Sequence, residues 1–372
     1  MFSRLSLYFF FIGLTAYCQS MPVDSLCTPE TRNLYTHLQQ LVQKGILFGH
    51  QDDLAYGVGW RGVAGRSDVQ SVTGQYPAVM GWDLGHIETG KTENLDSVPF
   101  QKIREYIRFA YKKGCINTVS WHLNNPYNGK SSWDETPTIK YILPGGESHA
   151  TFKSWLVIVA DFLKSLKTEN GTPIPVIFRP YHEHTGSWFW WGKKESTPEE
   201  YITLWRFTER FLQEQGVHNV LYAYSSAEFS SKEDFLERYP GDTYIDIIGF
   251  DTYHRDAPKE NANFVANTRR MLTDLTEIGK IHNKVCALTE TGLESLTEKN
   301  WWTAIVYPMV KDYPLSYVLV WRNANTKHHY APYPGHANAT DFQTFSKMPK
   351  VLFEKKVAQE QVYKSGTGAK RK

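Results

Sequence analysis

The sequence predicts an α/β protein built as one (β/α)8 TIM barrel, with its functional site at the C-terminal ends of the strands. Apolar, β-branched runs recur along the 372 residues, and amphipathic segments fill the intervals between them. Eight such runs are present, and eight buried parallel strands are the number that closes a barrel around packed side chains. The length suits one barrel of about 250 residues with insertions.

The predicted strands are, in chain order, residues 46–51, 78–86, 116–123, 176–184, 220–227, 245–253, 285–292 and 317–324. Each begins apolar and ends in polar or aromatic residues, as in GWDLGH, RPYHEH and TETG. Because β/α barrels carry their reactive groups at the carboxyl ends of the strands, these eight ends are the predicted functional face.

Periodic apolar residues predict helices between the strands. Residues 97–113 form one helix, with Ser97 as its expected N-cap. Residues 197–216 form another, in which Thr197 precedes Pro198 at the first turn and Gly216 ends the run. A helix within residues 28–45 precedes the first strand and is expected to cover the floor of the barrel.

The ends of the chain predict three segments. Residues 1–18 form a signal peptide, with Arg4 ahead of an apolar run too short to span a bilayer. Residues 19–360 are the single domain, and residues 361–372 are a frayed basic tail. This organisation predicts a secreted or periplasmic protein. The alternative is an outer-membrane lipoprotein anchored at Cys18, against which the bulky Tyr17 argues.

Composition narrows the class of partner. The net charge of +2 gives no reason to expect nucleic acid or a membrane surface as partner, and no later stretch is long and apolar enough to predict a membrane span. Aromatic residues make up 15% of the chain, and many lie beside Gly, Asn, Asp and His, which suits flat, uncharged ligands that stack. We expect a monomer without a cofactor. The remaining cysteines, Cys27, Cys115 and Cys286, require no disulfide, and the histidines lack a metal-binding spacing.

Two glutamates dominate the strand ends. Glu183 follows the fourth strand and Glu290 the seventh, so they face each other across the mouth of a closed barrel. Paired carboxylates that flank a sugar ring are the usual machinery of glycoside hydrolysis. The aromatic residues near Glu183 favour its protonated form, and the threonines on either side of Glu290 favour the anion. The stretch Trp188, Phe189, Trp190 and Trp191 is predicted to form a wall that binds the ligand.

The motifs RPYHEHTGSWFWWG, FDTYH, TETG and SWHLNNP together resemble glycoside hydrolase family 26, and the resemblance runs from GHQDD to WRNAN. It implies a retaining β-1,4-mannanase on a β/α barrel, acting on mannan, glucomannan or galactomannan without a metal. It also implies Glu183 as acid/base and Glu290 as nucleophile. Retention predicts carboxyl groups about 5 to 5.5 Å apart.

The resemblance carries further positions over one at a time. His122 matches a histidine that binds the cleaved sugar, and His182 is the residue before the acid/base. Trp188 matches an aromatic on the leaving-group side, Tyr253 a tyrosine that hydrogen-bonds the nucleophile, and Trp321 a stacking platform beneath the cleaved sugar. Arg179 shares strand parity with Glu183 and is expected beneath the site as electrostatic support.

Several alternatives stay open. Asp83 either binds a sugar hydroxyl or is structural, and Trp133 and Tyr141 either line sugar subsites or pack the insertion after the third strand. Residues 88–98 and 325–340 form long loops that, by closing one end of the cleft, would favour release of mannobiose by an exo mode. Xylan or mixed-linkage glucan is the alternative substrate. A non-catalytic glycan-binding barrel is the alternative of another class.

Overall fold

The structure is a computed structural model that describes residues 20–365, so the predicted signal peptide and residues 366–372 lie outside its described part. Eight parallel strands form the barrel: β1 (Ile46–Gln51), β2 (Val79–Asp83), β3 (Ile116–Trp121), β4 (Val176–Pro180), β5 (Val220–Ser226), β6 (Ile247–His254), β7 (Val285–Leu293) and β8 (Leu315–Val320). Pairing of β1 with β8, in which Leu47 lies opposite Tyr317, closes the sheet and confirms the predicted barrel.

Helices cover the outside of the barrel. They are α1 (Pro29–Leu41), α2 (Asp68–Thr73), α3 (Phe100–Lys112), α4 (Ile139–Ile142), α5 (His149–Lys164), α6 (Pro198–Glu214), α7 (Lys232–Leu236), α8 (Asn261–His282), α9 (Tyr307–Val310), α10 (Ala339–Phe345) and α11 (Glu354–Gln359). Short 3₁₀ turns at Ile87–Thr89 and Glu294–Leu296 and a π-helical turn at Trp301–Val306 complete them. A small hairpin pairs Tyr56–Gly57 with Trp60–Arg61, and Val351–Leu352 pairs with β1.

The core has two parts. One lies between the sheet and the outer helices. The other fills the lower half of the barrel, where Leu47, Ile116 and Ile177 from three strands pack with Leu34 and Leu38 of α1. The helix α1 therefore covers the floor, as predicted. The polar strand ends are left to line the opposite face.

Local sequence signals account for some helix ends and not for others. Thr197 accepts a hydrogen bond from the backbone of Glu200 and Glu200 reciprocates, which is a capping box at the start of α6. The prediction that Ser97 caps α3 is wrong. Pro99 occupies the cap position, and Ser97 lies two residues earlier in the left-handed region, at φ 57°.

The C-terminal boundary of the domain also differs from the prediction. Val362 and Tyr363, assigned to the basic tail, are buried with the floor of the barrel, and the Tyr363 hydroxyl donates to the carbonyl of Cys115 at 2.6 Å. The packed domain therefore extends past residue 360. The thiols of Cys27, Cys115 and Cys286 are free and buried. Among residues 20–365, no helix combines the length and apolar character that crossing a bilayer requires.

Candidate active site

Glu183 lies at the mouth of the barrel, in a turn that follows β4. The strand ends at Pro180, earlier than predicted, because Tyr181 and Glu183 adopt left-handed backbone angles, with φ 51° and 55°. These angles are uncommon outside glycine. The Glu183 amide donates to the carbonyl of Ser225 on β5 at 3.0 Å, which ties the turn to the next strand.

Two neighbours define the environment of the Glu183 carboxyl group, which is half-buried. The indole Nε1 of Trp188 donates to Oε2 of Glu183 at 2.7 Å. Burial and then the negative charge of Glu290 raise the pKa of Glu183 to about 7, against a smaller opposing effect of the Trp188 hydrogen bond. Glu183 is therefore able to hold a proton near neutral pH.

Glu290 lies on β7 and is held by two donors. The Tyr253 hydroxyl donates to its Oε2 at 2.6 Å, and the Arg179 guanidinium donates to its Oε1. Burial, followed by the charges of Glu290 and Glu183, raises the pKa of Tyr253, so the phenol keeps its proton and remains a donor. Glu290 is buried, and both of its oxygens accept hydrogen bonds that stabilise the carboxylate.

Arg179 lies beneath the site, as predicted, and joins three strands. Its guanidinium donates to Asp251 on β6 at 2.8 Å and to Ser225 on β5 at 3.1 Å, in addition to Glu290 on β7. Burial disfavours its charge, but Asp251 and Glu290 outweigh burial and raise the pKa of Arg179. Asp251 was missed by the sequence analysis, although it precedes Tyr253 by two residues and so faces the same side of β6.

The separation of the two glutamates sets the available chemistry. Carboxylate oxygens of Glu183, Asp251 and Glu290 all lie within 4.8 Å of one another. An oxygen pair this close agrees with the spacing of about 5 to 5.5 Å found in retaining glycosidases and is too close for the wider gap that an inverting enzyme needs. Arg179 donates hydrogen bonds to both Asp251 and Glu290 and supplies the positive charge that balances these two carboxylates.

Two histidines form the adjoining floor of the cleft. Nε2 of His122, which follows β3, lies 3.1 Å from Nε2 of His182, and both rings are buried. Nδ1 of His122 bonds Oδ2 of Asp83 at 2.6 Å. Asp83 is only 1% exposed, so it does not reach a sugar in the cleft.

The predicted aromatic wall is only partly correct. Trp188 is 43% exposed at the cleft, whereas Phe189, Trp190 and Trp191 are buried. The indole of Trp190 donates to the carbonyl of Leu123, and that of Trp191 to the carbonyl of His182. These three residues therefore support the cleft from behind. His184 is also buried, packed between Tyr201 and Tyr224.

Other aromatic rings complete the exposed surface. Trp321 is half-buried with its ring 6.2 Å from that of His122. Trp133 is 52% exposed and stacks on His122 at 5.6 Å, so it lines the cleft. Tyr141 instead stacks on Tyr127 at 4.1 Å within the insertion. Aromatic faces of this kind suit the apolar faces of sugar rings.

The loop after β2 is held against the end of β8 and the small hairpin. Asp96, in the loop after β2, forms an ion pair of 3.0 Å with Arg322, just after β8. Arg61, from the small hairpin, adds hydrogen bonds to the carbonyls of Asp96 and Ser97. These contacts fix the loop after β2 beside the mouth of the barrel.

Comparison with known proteins identifies the family. Residues 23–319 match the model of "Glycosyl hydrolase family 26". The mannan endo-1,4-beta-mannosidase of Bifidobacterium adolescentis is 32% identical over 362 residues, which cover 90% of this chain and 35% of the relative. The mannan endo-1,4-beta-mannosidase of Bacillus subtilis strain 168 is 28% identical over 312 residues, covering 80% and 79% of the two chains.

Comparison with solved structures points to the same family. A GH26 beta-mannanase from Bacteroides ovatus matches with a TM-score of 0.89 and 51% identity, over 92% of this chain and 99% of that chain. A modular endo-beta-1,4-mannanase from Cellulomonas fimi matches with a TM-score of 0.81 and 35% identity, over 90% and 78%. The chain spans about a third of the length of the Bifidobacterium relative. The extent of the match to the family model shows that this chain belongs to glycosyl hydrolase family 26.

Proposed function

We propose that the protein hydrolyses β-1,4-mannosidic bonds within mannan chains, with retention of configuration at the anomeric carbon. The observation that carries the proposal is the glutamate pair. Glu290 is held as an acceptor by Arg179 and Tyr253, while Glu183, less than 5 Å away between nearest oxygens, has a pKa raised to about 7. One carboxyl group is arranged to attack and the other to donate a proton.

The reaction has two displacements. A carboxylate oxygen of Glu290 attacks the anomeric carbon as the glycosidic bond breaks, and Glu183 gives its proton to the departing sugar oxygen. Glu183, now ionised, takes a proton from water. That water attacks the anomeric carbon, releases Glu290 and restores both groups. The raised pKa of Glu183 fits both halves of its role, because an acid/base works best with a pKa near the working pH.

The remaining residues support binding in this proposal. Trp321 provides a face on which the sugar being cleaved stacks. His122 and His182 support the floor beneath it, since the ring nitrogens of His122 already bond Asp83 and His182. Trp188 contacts the leaving sugar while its indole orients Glu183. Arg179 makes no sugar contact, since it is 4% exposed beneath Glu290. Its contribution is to hold the nucleophile.

The substrate and the mode rest on the relatives. The curated relatives from Bifidobacterium adolescentis and Bacillus subtilis are both named mannan endo-1,4-beta-mannosidases. Their names support endo attack and give no support to the exo release of mannobiose that the loop lengths allowed. The ion pair between Asp96 and Arg322 joins the loop after β2 to the end of β8 and leaves residues 325–340 out of the contact.

A product time course on unbranched β-1,4-mannan tests substrate and mode together. Endo attack predicts a ladder of oligosaccharides of several lengths in the earliest minutes. Mannobiose alone from the outset would contradict endo attack. Parallel assays on xylan and mixed-linkage β-glucan test the substrate, and a higher kcat/KM on either would overturn the assignment to mannan.

Replacement of Glu290 tests catalysis against simple binding. Glu290→Ala is expected to lose at least about three orders of magnitude in kcat, because the attacking group is removed. Glu294→Ala, which removes an exposed glutamate later on the same segment, is the matched control and should retain turnover. A glycan-binding barrel would show no turnover in the unmodified protein and little change in mannan affinity on Glu290→Ala.

We also propose that the protein is exported, on the basis of the predicted signal peptide at residues 1–18. Expression of the full chain in a bacterial host, followed by fractionation and N-terminal sequencing, tests this. A mature chain starting at Gln19 supports cleavage by signal peptidase. Metabolic labelling with a fatty acid would instead support attachment through Cys18.

A further inference from the structure

A line of three buried side chains runs from the strand end of β2 to the catalytic face. Asp83 accepts hydrogen bonds at 2.6 Å from the Ser120 hydroxyl and from the Gly85 amide. Its Oδ2 also bonds Nδ1 of His122 at 2.6 Å, and Nε2 of His122 faces Nε2 of His182 at 3.1 Å. The proposed double displacement assigns no role to Asp83, which is too buried to reach a sugar.

The hydrogen bonds of His122 and His182 restrict which ring nitrogens carry protons. Asp83 accepts from two other groups and is ionised, since burial is outweighed by His122 and the surrounding donors, which lower its pKa. Nδ1 of His122 must therefore carry a proton. The two facing Nε2 atoms share one proton between them, because one ring nitrogen must donate and the other accept. Either His122 is a cation that donates to His182, or His182 donates to a neutral His122.

The surroundings favour the cation on His122. Burial opposes it, but Asp83, followed by Glu290, raises the pKa of His122 against the opposing charge of Arg179. Within residues 20–365, no carboxylate acts on the His182 ring in this way. Burial and the charges of Arg179, His122 and His184 hold its pKa well below the ordinary value. In this state the one proton of the His182 ring lies on Nδ1, for which the described part of the chain offers no hydrogen-bond partner.

We propose that Asp83 is a positioning residue that keeps His122 doubly protonated at neutral pH, and so keeps His182 neutral with Nε2 as an acceptor. A fixed cation then faces the glutamate pair. The groups around the His122 ring are Asp83 from β2, Arg179 from β4, His182 and Glu183 from the turn after β4 and Glu290 from β7, with Asp96 from the loop after β2 and the rings of Trp133, Phe189 and Trp321 nearby.

The positive charge on His122 should change the protonation of both glutamates. A positive charge on His122 favours ionised Glu290 and lowers the pKa of Glu183, against the larger effects of burial and of Glu290 on that group. Loss of the cation should therefore move the proton loss of Glu183 to higher pH. Asp83 would in this way tune the acid/base without touching it or the substrate.

The experiment compares Asp83→Asn with Ser120→Ala in the full chain. Asn keeps the size of the side chain and removes its charge. Ser120→Ala removes a hydrogen bond from the same carboxylate and leaves its charge in place. The imidazole ¹⁵N shifts of His122, assigned through His122→Gln, are followed from pH 5 to 8. In the unmodified protein and in Ser120→Ala, both ring nitrogens should remain protonated through pH 7. In Asp83→Asn the ring should lose a proton with a midpoint below about 6.5, the ordinary value for histidine.

The interpretation of the kinetic measurement rests on the proposed function, whereas that of the His122 titration does not. With mannan as substrate, Asp83→Asn should move the alkaline limb of the kcat profile upward by as much as about one pH unit, and Ser120→Ala should leave it in place. A neutral His122 throughout the range in the unmodified protein would overturn the inference, and so would an unchanged ring titration in Asp83→Asn. If Asp83→Asn does not fold, Asp83→Glu, which displaces the charge, takes its place in the same comparison. Absence of activity on mannan, with the His122 titration as expected, would contradict the proposed function but not the inference about Asp83 and His122.

Discussion

The hydroxyl of Tyr253 on β6 donates a hydrogen bond of 2.6 Å to Oε2 of Glu290 on β7. The bond crosses the pair of strands in which Tyr253 lies opposite Gly292, so the sheet itself sets the distance between phenol and carboxylate. Arg179 holds the other oxygen. The nucleophile proposed here is therefore fixed at both oxygens before any substrate arrives.

Tyr253→Phe removes one of these donors and keeps the ring. A hydrogen bond to a charged group contributes about 1.5 to 3 kcal/mol, so we expect kcat to fall by roughly ten- to more than a hundredfold. Steady-state kinetics on mannan measure the change. Tyr313→Phe is the control, because that hydroxyl bonds the carbonyl of Arg269 on the outer surface. Equal kinetics in the two variants would contradict the role of Tyr253.

Trp188→Phe tests how the indole tunes Glu183. The Trp188 hydrogen bond lowers the pKa of Glu183, although burial and Glu290 outweigh it, so its loss should raise that pKa above about 7. The acid form would then persist to higher pH, and the alkaline limb of kcat should move upward by about half to one unit. Trp133→Phe alters an exposed cleft indole without contact to Glu183 and should leave this limb unchanged. A downward shift in Trp188→Phe would refute the assignment.

Glu183→Gln should stabilise the fold at neutral and alkaline pH. Folding raises the pKa of Glu183 from 4.5 to about 7, mainly through burial. The protonated carboxyl group therefore costs the folded protein no stability below pH 4.5, and the folded protein loses stability as the pH rises through 7. The difference corresponds to at most roughly 3 kcal/mol above pH 7 and vanishes below pH 4.5. Melting temperatures at pH 4 and pH 8 measure it. The exposed control Glu169→Gln should show no such dependence on pH. A variant less stable than the parent at pH 8 would contradict this account.

Arg179→Met should destabilise the protein more than any surface arginine replacement does. It leaves the carboxylates of Asp251 and Glu290 buried without their cation, and breaking a buried ion pair costs about 3 to 5 kcal/mol. Denaturant unfolding gives the free energy directly. Arg255→Met, at an exposed position after β6, is the matched control and should change stability by less than about 0.5 kcal/mol. Turnover of Arg179→Met should fall even where it remains folded. Recovery of both properties by Arg179→Lys would show that charge, and not the forked geometry, is what the site requires.

The sequence identified the barrel because buried parallel strands are continuous apolar runs, and β1 was placed at its observed bounds, Ile46–Gln51. It misplaced the end of β4 because the left-handed angles at Tyr181 and Glu183 have no signature in residues other than glycine. Strand parity with Arg179 therefore does not extend to Glu183, which lies in the turn after β4, although Arg179 does face inward as predicted.

Tertiary packing, and not the local sequence pattern, determines which residues of the aromatic run are exposed. Trp188 and Trp190 are two residues apart in one aromatic run, yet one is exposed and the other is fully buried. The buried indole of Trp190 donates to the carbonyl of Leu123, 67 residues earlier in the sequence, so its environment comes from distant parts of the chain. Asp251 carried a usable signal, since alternation along β6 places it on the same side as Tyr253. The partnership of Asp83 with His122 had no comparable signal, because it joins the last residue of β2 to the residue that follows β3.

The burial of Tyr363 has a practical consequence for handling the protein. Its carbonyl accepts a hydrogen bond from Asn33 of α1, so the C-terminal segment lies against the helix that covers the barrel floor. The segment around Ser20 lies on the same side, where Ser20 contacts Tyr35. A linker joined before Ser20 or after residue 365 would thus leave from the floor. Immobilised on a bead or displayed on a surface through either linker, the protein would present its cleft outward, towards insoluble polysaccharide.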